Sequence, residues 1–98
     1  MKPCKRLEIV IEKPLARLMA EKLTELGAPG YTLIDQASGR GDSGERRGDD
    51  PTGSSTNVVF ILACPPDIDL DELIEGIRSL LTSSGGICLV SDAMWVRH

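Results

Sequence analysis

The chain has 98 residues, is 41% apolar and 27% charged, and carries 11 basic against 15 acidic residues for a net charge of −4. That length suits one domain around a single modest core. The acidic balance, with one Tyr, one Phe and one Trp, argues against nonspecific nucleic-acid binding, which needs a basic footprint and stacking surfaces. No apolar run approaches the roughly 20 residues of a membrane span. The basic N-terminus leads into a segment broken by Glu8 and Glu12 rather than into the apolar stretch of a signal peptide, so a cytoplasmic protein is expected. Cys4, Cys64 and Cys88 are odd in number and lack C-x-x-C spacing, which argues against a disulfide framework or a zinc site. Cys64 and Cys88 lie in apolar runs and read as buried thiols.

Leu7, Ile9 and Ile11 alternate with Glu8, Val10 and Glu12, a period of two that predicts a strand. Pro14 suits the first turn of a helix. Leu15, Leu18, Met19, Leu23 and Leu26 then recur at spacings of three and four, which predicts an amphipathic helix ended by Gly27 in a left-handed cap. Tyr31, Leu33 and Ile34 open a second strand running to about Ala37. From Ser38 to Asn57, twenty consecutive residues include no Ala, Val, Ile, Leu, Met, Phe, Trp, Tyr or Cys. Val58 to Cys64 then reads as a third strand, stopped by Pro65 and Pro66. Asp69 is the expected N-cap of a second helix, with Glu72 three residues on and an apolar stripe of Leu70, Leu73, Ile74, Ile77, Leu80 and Leu81. Gly85-Gly86 turns the chain into a fourth strand, Ile87 to Val90. A short apolar tail, Ala93 to Val96, precedes Arg97 and His98.

The order β-α-β-β-α-β is that of an α+β ferredoxin-like fold, an antiparallel four-stranded sheet with both helices on one face, here as a single domain over residues 1–98. The other sheet face should then alternate polar with apolar. The third and fourth strands do not alternate, so that face is expected to be covered between subunits of a closed oligomer.

Twenty polar residues between adjacent antiparallel strands, where two to five would suffice, point to a functional or flexible loop. The insert holds five glycines, Arg40, Arg46 and Arg47, and four acids. In Gly39-Arg40-Gly41, closely spaced glycines can turn backbone N–H groups toward an anion while Arg40 supplies a charged fork. Arg40-Gly41-Asp42 matches a cell-adhesion tripeptide, which chance explains in a chain without a secretory signal. Gly85 and Gly86, after Thr82, Ser83 and Ser84, read either as a turn or as a second backbone lining for phosphate. Arg97 reads as a third anion ligand or a solubilising end. Nothing forms a catalytic constellation: the one His is terminal, and no Ser or Cys has a base beside it, so a sensor rather than an enzyme is expected.

Taken together, these features resemble the PII signal-transduction superfamily over almost the whole chain. Lys5 to Ile11 followed by Lys13-Pro14 is similar to the family's opening strand and Lys-Pro, and Gly30-Tyr31-Thr32-Leu33 to the Gly-x-Thr-Val of its second strand. Gly39-Arg40-Gly41 resembles the Gly-x-Gly at the base of the long T-loop, which makes residues 38–57 a flexible T-loop between the second and third strands. Gly85-Gly86-Ile87 resembles part of the B-loop.

The resemblance implies a homotrimer with adenine nucleotide (ATP, ADP or AMP) in clefts between subunits. It implies Gly30 and Thr32 near the adenine, Leu62 as an apolar contact near the base, Gly39, Arg40 and Gly41 beside ribose and phosphates, N–H groups of Gly85 and Gly86 on phosphate, and Arg97 reaching phosphate from a neighbour. Arg46 and Arg47 would hold an anion or a partner. The insert lacks the tyrosine that classical members modify, and Gly86 stands where their B-loop has a lysine. These departures are more similar to the PII-like proteins tied to inorganic carbon, including the carboxysome-associated kind, which implies bicarbonate as a further ligand and a bicarbonate transporter or carboxysome-operon product as partner. Rival readings of the same fold are a metal-binding trimer of the divalent-cation tolerance type, a purely structural module with a flexible tether, and a regulatory domain of the ACT type.

Overall fold

A computed structural model of the chain describes residues 1–37 and 56–96 with their side chains, and 39–41 and 44–46 as backbone. The elements in chain order are β1 (Lys2–Glu12), a 3-10 turn (Lys13–Leu15), α1 (Ala16–Glu25), β2 (Tyr31–Ala37), β3 (Gly39–Gly41), β4 (Gly44–Arg46), β5 (Asn57–Cys64), α2 (Leu70–Ser84) and β6 (Ile87–Trp95). The main sheet runs β2-β5-β1-β6, every neighbour antiparallel. This is the expected α+β ferredoxin-like arrangement, with the long connection between its second and third main strands.

Register explains which side chains are buried. Leu7 lies opposite Leu62, Ile9 opposite Phe60 and Ile11 opposite Val58, and residues directly opposite share a face. These six and Cys64 form the sheet's contribution to the core, which Met19 and Leu23 of α1 and Leu73 and Ile77 of α2 complete. The apolar spacing of three and four thus turns most of one stripe of each helix onto the sheet, while Leu18, expected on the α1 stripe, is left 51% exposed beside the groove between the helices. Burying each such side chain contributes about 1.5–3 kcal/mol.

The helix ends follow from local chemistry. Pro14 falls in the 3-10 turn, and α1 proper begins two residues later. Gly27 takes φ +76° just past α1. Asp69 caps α2, its side chain accepting from the Glu72 N–H at 3.1 Å.

One expectation is corrected. The fourth strand does not stop at Val90 with a separate tail; β6 continues to Trp95, because β1 extends back to Lys2 and offers partners along that whole length, Lys5 facing Asp92 and Lys2 facing Trp95. An ion pair between the Lys5 ammonium and the Asp92 carboxylate keeps those two polar positions in the ladder. Within the insert, β3 and β4 pair as a small hairpin, Gly39 opposite Arg46 and Gly41 opposite Gly44.

The sheet face away from the helices carries a broad apolar area interrupted by Arg6 and Glu8 of β1, Thr32 of β2 and Ser91 of β6. It presents Ile34 on β2, Val59, Ile61 and Ala63 on β5, Val10 on β1, and Ile87, Leu89 and Trp95 on β6, by the same register argument. Ile34, Ile87, Leu89 and Trp95 are 45–54% exposed in the single chain. Among the described residues no helix is long and apolar enough to cross a membrane.

Candidate functional site

One end of the sheet gathers the base of the insert and the glycine turn. Ala37, the last residue of β2, lies opposite Asn57, the first of β5, and Asn57 lies opposite Glu12 of β1. The Lys13 N–H donates to the Thr56 carbonyl at 2.8 Å, so the chain re-enters the sheet against the β1–α1 turn. On the next strand, Val10 lies opposite Ile87, and Gly86 packs onto it. A methyl group built on Gly86 would sit 2.8 Å from the Val10 carbonyl oxygen. Glycine is required there by close approach of two backbones, and at Gly85 by φ +66° in the left-handed cap of α2.

That cap changes the chemistry expected of the turn. The Gly85 N–H and the Gly86 N–H both donate to the Leu81 carbonyl, the latter at 2.9 Å. The hydroxyls before them also point back along the helix: Thr82 to the Arg78 carbonyl at 3.0 Å, and Ser83 and Ser84 to the Leu80 carbonyl at 3.2 and 2.9 Å. The N–H groups expected to line a phosphate site are engaged in ending α2. In the single chain the pair forms the turn that leads from α2 into β6 beside β1.

The other expected contacts lie across the sheet. Gly30 immediately precedes β2 and is exposed. Thr32 lies opposite Ile61, in the same row as Glu8 and Leu89. Since β2 and β6 are the two edge strands, three strand spacings of about 4.8 Å separate Gly30 and Thr32 from the Gly85–Gly86 edge. A single chain does not bring the two sets together. Leu62 is placed differently again: it is 1% exposed, in the core between Leu7 and Tyr31, so it offers a ligand no surface in the single chain. Gly39 and Gly41 flank Arg40 in β3, one residue beyond β2. The side chains of Arg40 and Arg46, and all of Arg47 and Arg97, lie outside the described residues.

The sequence pattern gave no hint of Asp35. Its Oδ2 accepts from the Lys13 ammonium at 3.1 Å and its Oδ1 from the Gln36 N–H at 2.8 Å. The Lys13 hydrogen bond first, then the Gln36 N–H, holds its carboxyl below the usual carboxylate range. Nothing in the sequence pairs Lys13 with a residue 22 positions away, and both look like ordinary surface charges. The Cys64 and Cys88 thiols are pushed up by burial, which keeps them protonated and unreactive. Among the described residues no three His, Cys, Asp or Glu side chains cluster to hold a metal ion. A groove of about 300 Å³ between α1 and α2, lined by Leu18, Glu21, Glu25, Gly76 and Leu80, includes none of the expected contact residues.

A βαββαβ sheet whose second and third main strands are joined by a long polar insert, with a glycine turn at the same end of the sheet, defines a PII-type architecture. The family model described as Nitrogen regulatory protein P-II matches residues 4–98, and the chain belongs to that family. Solved structures agree. CPII, a nitrogen regulatory PII-like protein from Thiomonas intermedia K12, solved with ADP, AMP and bicarbonate, is similar at a TM-score of 0.84 and 27% identity over 97% of this chain and 90% of that one. The same protein bound to ADP and bicarbonate is similar at 0.81 and 26% identity, over 97% and 90% of the two chains. A PII-like signalling protein from Thermus thermophilus shares the fold at 0.74 and 24% identity, over 97% and 91%. No curated protein sequence matches the chain.

Proposed function

We propose that the chain is a PII-like signalling protein, not an enzyme, that binds adenine nucleotide together with bicarbonate in clefts between the subunits of a homotrimer, and that ligand state sets how the insert meets a partner. The observation that carries this reading is the likeness, over 97% of the chain, to CPII solved with ADP, AMP and bicarbonate. The geometry supports a site between copies: Gly30 and Thr32 on one sheet edge and Gly85 and Gly86 on the other can share a ligand only when a second chain supplies one of the two edges. The apolar open face gives a reason for copies to associate.

In this reading Gly39, Arg40 and Gly41 meet the ribose and phosphates, and Arg97 of a neighbouring subunit adds a second positive charge. Because the Gly85 and Gly86 N–H groups are held by Leu81, the arginines carry most of the anion binding, each charge-assisted hydrogen bond contributing about 1.5–3 kcal/mol. Bicarbonate beside phosphate needs the same cations to offset like-charge repulsion, which assigns Arg46 and Arg47 to this anion or to the partner. Leu62 is kept as the apolar contact near the base, one that only the cleft between copies could expose. A bicarbonate transporter or a carboxysome-operon product is the kind of partner such a sensor would regulate in the cytoplasm.

Calorimetry on Arg97→Ala tests the site. Affinity for ADP is expected to fall at least tenfold, the loss of one charge-assisted contact. Unchanged affinity would remove Arg97 from the site.

A further inference from the structure

Lys13 reaches both arms of the insert at once. Its backbone N–H donates to the Thr56 carbonyl at 2.8 Å, where the chain enters β5. Its ammonium donates to Asp35 Oδ2 at 3.1 Å, where the chain is about to leave β2. Asp35 is not a regular strand position. The pairing of β2 with β5 shifts register between Ile34 and Ala37, and Gln36 takes φ +57°, the left-handed region that side chains other than glycine's disfavour. The Gln36 N–H turns back to Asp35 Oδ1 at 2.8 Å. One carboxylate therefore holds the bulge with one oxygen and the lysine with the other.

A bulge bends its strand and re-aims the residues beyond it. Lys13 is itself held on a stiff support: its N–H is engaged by Thr56, it opens the 3-10 turn, and Pro14 fixes the next backbone angle. We propose that Lys13 is a positioning residue for the insert, strapping its two arms together at the sheet and so setting the direction from which the chain beyond Ala37 approaches a ligand or partner. The ion pair is half exposed, 43% on Lys13 and 53% on Asp35, so it biases a local geometry without holding the fold together. The inference stands on contacts within one chain and does not depend on which ligand binds.

Amide hydrogen exchange by NMR on the full chain tests it, comparing Lys13→Met, Asp35→Asn, the double variant and Lys13→Arg. Asn keeps an oxygen to accept from the Gln36 N–H, so Asp35→Asn removes chiefly the charge. Each of the first two is expected to speed exchange at Gln36 and Ala37 roughly two- to fivefold, the population change an exposed ion pair supports. The double variant should do no more than either single one, and Lys13→Arg should restore the wild-type rate. Melting temperatures should stay within about 2 °C of wild type, separating a strap from a fold-wide contact. Unchanged exchange in Lys13→Met, additive effects in the double variant, or failure of Lys13→Arg to restore the rate would overturn the proposal.

Discussion

Single residues at the end of the sheet decide more than their exposure suggests. Asp35 is exposed, yet Lys13 and then the Gln36 N–H hold its carboxyl below the usual range. A carboxylate with a folded pKa below its unfolded one contributes at neutral pH and loses that contribution as pH falls below the unfolded value and through the folded one. In Lys13→Met the Asp35 midpoint, followed by NMR, should move up toward the ordinary carboxylate value; an unmoved midpoint would show that Lys13 does not set it. The glycine pair is constrained by two different contacts. Gly85→Ala puts a side chain at φ +66° and should cost about 1 kcal/mol, a fall of roughly 4–8 °C in melting temperature. Gly86→Ala places a methyl group 2.8 Å from the Val10 carbonyl oxygen and should cost about 1–3 kcal/mol, because backbone on both sides must shift. Equal melting temperatures for both variants and the wild type would contradict the cap and the close approach. Gly85-Gly86 was visible in the sequence as a turn. That its N–H groups also close the C-terminus of α2 on the Leu81 carbonyl was not, since a bare glycine pair carries no sign of its acceptor.

At the scale of elements, periodicity was a sufficient guide wherever one face is buried. The stripe from Leu15 to Leu26 and that from Leu70 to Leu81 each became a helix seated on the sheet, and Leu7, Ile9 and Ile11 became the inward face of β1. The Asp69 cap could also be read, because a side-chain acceptor three residues before a free N–H is a local arrangement. Asp69→Ala should therefore destabilise the protein by about 1 kcal/mol, within the usual range of roughly 0.5–2 for a lost cap, and shift the melt accordingly. No change would mean that the Glu72 N–H finds another acceptor. Pairing between distant segments was less legible. β6 runs through Ser91 and Asp92 because β1 supplies Arg6 and Lys5 opposite them, and no short window of sequence contains that fact. The bulge at Asp35 and Gln36 was hidden for the same reason: its support comes from Lys13, on another element.

Across the whole molecule, the polar insert and the apolar open face belong to one design. The twenty residues from Ser38 to Asn57 bring no aliphatic, aromatic or cysteine side chain to the core. The remaining chain leaves apolar side chains exposed on both edge strands, Tyr31, Leu33 and Ile34 on β2 and Ile87, Leu89, Val90 and Trp95 on β6. Copies that associate through the open face would bring β2 edges toward β6 edges and complete the sites that one chain leaves divided. Leu89→Asp, on the β6 edge of that face, should lower the particle mass measured by light scattering while circular dichroism keeps the α+β signature. A wild-type protein already monodisperse at 10.6 kDa would contradict association. The fold was legible because a chain this short has few ways to satisfy two helical stripes and four strands. The site was legible only in outline, since its parts lie on opposite edges and its arginines carry no periodic signal. The most direct measurement is isothermal titration calorimetry of the protein with ADP, with and without bicarbonate. Saturable heat with ADP, and tighter binding when bicarbonate is present, is the expected result. No heat from ADP, AMP or ATP under either condition would contradict the central claim that this is a nucleotide sensor.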